Sequence, residues 1–126
     1  MTDKNILLID DEEPIQEVVQ MGIQIEAGWQ VAIASSGIEG INLAENQQPD
    51  VILLDVMMPE MDGIATLSQL KSNNKTSGIP VIFLTAKAQA EEKNQFQSLG
   101  VVDVITKPFN SMTLASQIAK ILGWEF

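Results

Sequence analysis

Residues 51–59 read VILLDVMMP: four aliphatic residues, one acid at Asp55, then two methionines and a proline. A strand covered on both faces reads as an unbroken Val/Ile/Leu run, the signature of a parallel sheet sandwiched between helices. A lone carboxylate inside such a run would cost several kcal/mol unless paired or ligated. Asp55 is therefore expected where the strand emerges. If this reading is right, similar runs should recur along the chain with helices between them.

They do recur. Apolar runs at 6–9, 30–34, 80–84 and 101–105 each read as a strand. Between them the apolar residues change to helical spacing. Ile15, Val18, Val19, Gly22, Ile23 and Ile25 mark a first helix, with Pro14 tolerated in its opening turn. Ile38, Ile41, Leu43 and Ala44 mark a second, entered through Ser35 and Ser36, both suited to capping. A third begins near Ile64 after Asp62-Gly63, a short polar fourth spans 91–99, and a fifth spans 111–122. Strand and helix alternating five times predict an α/β fold: a doubly wound, five-stranded parallel sheet with right-handed crossovers. At 126 residues the chain is expected to form one domain, 1–126, with no output domain.

Composition narrows the chemistry. Cysteine and histidine are both absent, which removes disulfides, thiolate metal sites, the usual zinc ligand and the usual general base. The formal net charge is −10, and every basic residue is a lysine. Nucleic-acid binding relies on Lys and Arg neutralising phosphates, so no direct nucleic-acid partner is expected. No apolar run approaches the roughly 20 residues that span a membrane. The opening residues, MTDKN, lack the layout of a secretion signal, and a cytoplasmic location with no membrane partner is expected. Protein partners and cations remain.

Folds of this class bind ligands at the C-terminal ends of their strands, at the point where strand order reverses. Those ends carry Asp10 and Asp11 after strand one, Asp55 after strand three, Thr85 after strand four and Lys107 after strand five. In the order 2-1-3-4-5, strands one and three are neighbours and the three acids converge. Three clustered carboxylates call for a cation, and an all-oxygen ligand set selects Mg2+ or a similar hard divalent ion. Lys107 adds a mobile positive charge and Thr85 a hydroxyl, both suited to holding the oxygens of a phosphoryl group.

The stretches LLIDDEEP, VILLDVMMPEMDG, FLTA and ITKPF, in this order and each after a predicted strand, resemble the response-regulator receiver domain of two-component signalling. The likeness runs from Lys4 to about Leu122. It implies the flavodoxin-like, CheY-like architecture, with Asp55 as phospho-acceptor and Asp10, Asp11 and Asp55 around Mg2+. It further implies the Met57 carbonyl as a protein ligand, Thr85 as the switch hydroxyl, and Lys107 on the phosphoryl group through a cis lysine-proline bond. The implied phosphodonor is a histidine kinase or a histidine phosphotransfer protein, and the implied output is a changed interaction with a downstream protein. A carboxylate can form an acyl phosphate, so the acid that ends the strand reads as a nucleophile.

Rival readings fare worse. A flavin-binding carrier of the same architecture must cradle a phosphate in its first loop, where DDEEP would repel one. A dehalogenase-type phosphatase needs two acids separated by one residue after strand one, and this chain has adjacent acids. A receiver-like module that is never phosphorylated is the remaining alternative, disfavoured by the intact acids, threonine and lysine. Two departures matter for output. Met57 and Lys87, flanking the phosphoryl group by the resemblance, are poor devices for positioning an attacking water, so a long-lived phosphoryl group is expected. Val104 stands where the family commonly has a ring that swings inward, and a β-branched valine has little freedom to move. Motion is then expected in the loop bearing Lys87 to Glu92.

Overall fold

The computed structural model describes residues 3–86 and 90–126. β1 (Asn5–Ile9), β2 (Gln30–Ala34), β3 (Val51–Asp55), β4 (Val81–Thr85) and β5 (Asp103–Thr106) pair in parallel in the order β2-β1-β3-β4-β5. Successive side chains of a strand point to opposite faces, so alternate residues feed two separate core layers. Ile6, Leu8, Leu53, Ile82 and Leu84 pack with α1 (Glu13–Ala27) and α5 (Leu114–Leu122) through Val19, Ile23, Leu114 and Ile118. Leu7, Ile9, Ile52, Leu54 and Phe83 pack on the other face. That face is covered by α2 (Gly37–Gln47), α3 (Gly63–Ser72) and α4 (Ala90–Ser98), which contribute Ala44, Leu67, Leu70 and Phe96. All five residues of β3 are buried, as its continuous apolar run requires.

Helix starts follow the polar residues that precede them. Ser36 caps α2 by accepting from Glu39 N, and Glu39 Oε1 in return accepts from Ser35 N at 2.6 Å, a variant of the capping box. Ser36 is thus the cap and Ser35 is not. Asp62 caps α3 through Ala65 N at 2.8 Å. Pro14 lies in the first turn of α1.

The structure moves some expected boundaries. β4 starts at Val81 rather than at residue 80, and the Pro80 carbonyl accepts from Ile52 N at 2.9 Å. β5 begins at Asp103, after Gly100 turns the chain at φ +106°. The expected fifth helix opens as a 3-10 turn, Ser111–Thr113, because the Asn110 side chain takes Met112 N at 3.0 Å. Val18, Ile25 and Ile38 belong to their helices yet face solvent. Trp29 is buried and meets Trp124 edge to face, with ring centroids 5.5 Å apart. Among the described residues no helix is long and apolar enough to cross a membrane.

Candidate functional site

Asp55 is the last residue of β3, and the backbone ladder holds it there: Val56 N donates to Leu84 O at 3.1 Å. The chain then loops out and returns, with Gly63 N donating to Val56 O at 2.9 Å. A Cβ on Gly63 would lie 2.3 Å from Asp55 O and 2.7 Å from Val56 Cα, so only glycine lets α3 start this close to the acid. The carboxylate is 2% exposed as a residue. Its Oδ1 accepts from Met57 N at 3.3 Å, and its buried Oδ2 has no hydrogen-bond partner among the described residues.

Asp10 follows β1 and is fully buried, its N–H extending the ladder to Ala34 O at 3.0 Å. Its Oδ1 accepts from Glu12 N at 2.9 Å, an Asx-turn that bends the chain into α1. Its Oδ2 accepts from Lys107 Nζ at 3.1 Å. Lys107 leaves β5 through a backbone bond to Thr85 O at 2.8 Å, and the Lys107–Pro108 peptide is cis, as the resemblance implied. Its ammonium also lies 3.4 Å from Asp55 Oδ1. Asp11 is exposed beside them, and the carboxylates of Asp10, Asp11 and Asp55 offer oxygens all within 4.8 Å of one another. Thr85 ends β4 and is buried, in register with Thr106.

The charges act on one another. Burial, then the neighbouring Asp10 charge, raise the Asp55 carboxyl from 3.8 to about 6, against the smaller pulls of Lys107 and the Met57 N–H. For Lys107, burial disfavours the ammonium. The hydrogen bond and charge of Asp10, with the charge of Asp55, outweigh that and raise it above 10.5. One lysine thus serves two buried acids and leaves Asp55 Oδ2 unsatisfied. A divalent cation with oxygen ligands fits this donor set: three converging carboxylates, no soft donors, and an orphan buried oxygen.

The four charged residues expected at the site come together at this end of the sheet. Asp10, Asp11, Asp55 and Lys107 form one cluster, and Thr85 ends the strand beside β3 and β5. Met57 presents its N–H to Asp55 and its side chain to solvent, at 64% exposure. Lys87 lies outside the described residues. Sequence reasoning passed over Gln16, whose amide donates to Asp10 O at 2.7 Å and to Ser35 Oγ at 3.1 Å. Nothing local sets Gln16 apart from Glu17, Gln20 and Gln24 of the same helix, so no sequence signal marked it.

A parallel sheet of this order places an acid cluster and a lysine at its switch point, where folds of this class bind ligands. The chain belongs to the response regulator receiver domain family, whose model matches residues 6–119. It is 38% identical over 117 residues to the DNA-binding dual master transcriptional regulator RpaA of Synechocystis sp., covering 93% of this chain and 48% of that protein. To the phosphate regulon transcriptional regulatory protein PhoB of Pseudomonas aeruginosa it is 36% identical over 122 residues, covering 97% and 53%. The chain therefore spans about half the length of these curated relatives. Among solved structures, the chemotaxis response regulator CheY4 of Vibrio cholerae superposes with a TM-score of 0.87 at 29% identity, covering 95% of this chain and 99% of that one. The Francisella response regulator 1452 receiver domain gives 0.85 at 30% identity, covering 96% and 98%. Receiver domains of this family are phosphorylated signalling switches that bind Mg2+ at an acidic site, so the chain is a receiver of two-component signalling.

Proposed function

We propose that Asp55 is the phospho-acceptor of this receiver, and that the domain itself promotes the transfer. A carboxylate oxygen of Asp55 attacks phosphorus to form an acyl phosphate, while the bond from phosphorus to the donor breaks. The donor leaves as an imidazole when it is a phosphohistidine of a histidine kinase or phosphotransfer protein, and as acetate when it is acetyl phosphate. Asp10, Asp11, Asp55 and the Met57 carbonyl would hold Mg2+, which when bound neutralises charge on the phosphoryl oxygens. Lys107, already 3.4 Å from Asp55 Oδ1, supplies a second positive charge. The Thr85 hydroxyl takes a phosphoryl oxygen after transfer, and the roughly −1.5 to −2 charges added to a tight site redraw the surface that a downstream protein reads. The exchange is expected in the cytoplasm.

One observation carries this reading. Asp55 is buried at a strand end with an unpartnered oxygen, beside two more acids and a lysine. Burying a carboxylate this way costs folding energy, which a site built for an incoming cation and phosphoryl group explains. Acetyl phosphate with Mg2+ should add one phosphoryl group at Asp55, detected by mass spectrometry of the intact protein and its peptides. Full labelling of Asp55→Asn, or labelling undiminished by EDTA, would overturn the assignment.

A further inference from the structure

We infer that Gln16 is a positioning residue for the acidic pair: it clamps the Asp10 carbonyl and so sets the direction in which Asp11 offers its carboxylate to the cation. This rests on the proposed Mg2+ role of Asp10 and Asp11. The sheet secures only one side of Asp10, since its N–H pairs with Ala34 O. Beyond that bond the β1–β2 ladder ends. The Asp10 carbonyl is instead taken by Gln16 Nε2 at 2.7 Å, the shortest side-chain contact to the backbone of this turn. A carbonyl only accepts, so the nitrogen end of the amide must face it. The second hydrogen of that nitrogen goes to Ser35 Oγ at 3.1 Å, fixing the amide plane between the turn after β1 and the turn after β2.

The arrangement extends outward in order. Ser35 N donates to Glu39 Oε1 at 2.6 Å, and Ser36 caps the helix that carries Glu39. Asp10 is therefore held at its N–H by β2, at its carboxylate by Glu12 N and Lys107, and at its carbonyl by Gln16. The peptide joining Asp10 to Asp11 can rotate only if the Gln16 bond breaks. Asp11 is exposed, so its backbone does most to aim it. Partners one step beyond the metal ligands typically govern affinity by fixing ligand geometry.

Isothermal titration of Mg2+ into wild type, Gln16→Met, Ser35→Ala and Gln20→Met tests this. Gln16→Met keeps length and removes the donor. Gln20→Met is the control: it removes a like amide bond, to Val31 O at 3.1 Å, one turn further along α1. Gln16→Met should weaken Mg2+ binding roughly threefold to tenfold, at or just below the roughly tenfold-to-hundredfold range typical of such outer partners, because it acts through backbone rather than on a ligand side chain. Ser35→Ala should shift it less in the same direction, and it decides the matter if Gln16→Met does not fold. Gln20→Met should leave affinity unchanged. Labelling by acetyl phosphate at saturating Mg2+ should stay within about twofold of wild type in Gln16→Met, because Gln16 touches no reacting atom. Unchanged affinity in Gln16→Met, or an equal loss in Gln20→Met, overturns the inference while wild-type binding upholds the site. A wild type that binds no Mg2+ overturns both.

Discussion

Asp55→Asn should make the cation-free protein more stable, relative to wild type, as the pH rises. The acid is 2% exposed, its Oδ2 has no hydrogen-bond partner among the described residues, and its carboxyl is raised from 3.8 to about 6 by burial and by Asp10. The folded protein then holds this proton more tightly than the unfolded chain. Asp55 contributes stability that is complete below the unfolded value of 3.8 and is lost as the pH rises through about 6. Over that whole window the loss is about 3 kcal/mol, of which about 1.4 kcal/mol falls between about pH 5 and about pH 7.5. Asparagine does not titrate, so the stability of Asp55→Asn minus that of wild type should grow by this smaller amount between the two pH values. Urea unfolding in EDTA reads the difference directly. With a slope of about 1–3 kcal/mol/M, the gap between midpoints should widen by roughly 0.5–1.4 M. Saturating Mg2+ should shrink the effect, since a cation stabilises the ionised acid. A gap that stays constant, or narrows, would refute the claim that burial strains this carboxylate.

Gly63→Ala should cost about 1–3 kcal/mol and slow the labelling of Asp55, because its Cβ would lie 2.3 Å from a backbone oxygen that cannot retreat without moving the acid; urea unfolding and the labelling rate check both effects. Glu26→Ala should cost about 1–2 kcal/mol while leaving labelling intact, since Glu26 Oε1 accepts from Ala115 N at 2.8 Å and Ser116 N at 3.3 Å at the start of α5, far from the acids. For output, beryllofluoride, a phosphoryl mimic, should shift NMR resonances in residues 86–95 and leave 102–105 nearly still. Val104 is buried opposite Phe83, whose ring already meets Phe96 of α4 edge to face at 5.2 Å, so two rings already fill the core layer that Val104 shares. Large changes at Val104 itself would contradict that.

Much of this molecule was legible in one dimension. Continuous apolar runs of four or five residues, rich in Val, Ile and Leu, read as strands buried on both faces, and helical spacing between them leaves a parallel sheet as the economical solution. That Asp10, Asp11, Asp55, Thr85 and Lys107 lie together was readable because the C-terminal ends of the strands in such a sheet share one end. The local pattern also carried the helix starts at Ser35-Ser36 and Asp62-Gly63, and the structure selects Ser36 and Asp62 as the caps, with partners three residues away.

Other features depend on contacts between residues distant in the chain, and no local pattern encodes them. Lys107 Nζ reaches Asp10 across 97 residues of sequence, and that pairing leaves Asp55 Oδ2 as the unsatisfied atom. The need for glycine at 63 arises from the approach of α3 to the end of β3, which a Gly-after-Asp turn signal does not reveal. Gln16 looks like an ordinary polar residue on a helix until β1 and β2 bring the Asp10 carbonyl and the Ser35 hydroxyl to its amide. Hydrophobic period is a property of neighbours along the chain and fixes which elements form. The proton affinity of a carboxylate and the aim of a side chain depend on what lies within a few ångströms in space, and only the packed fold decides that.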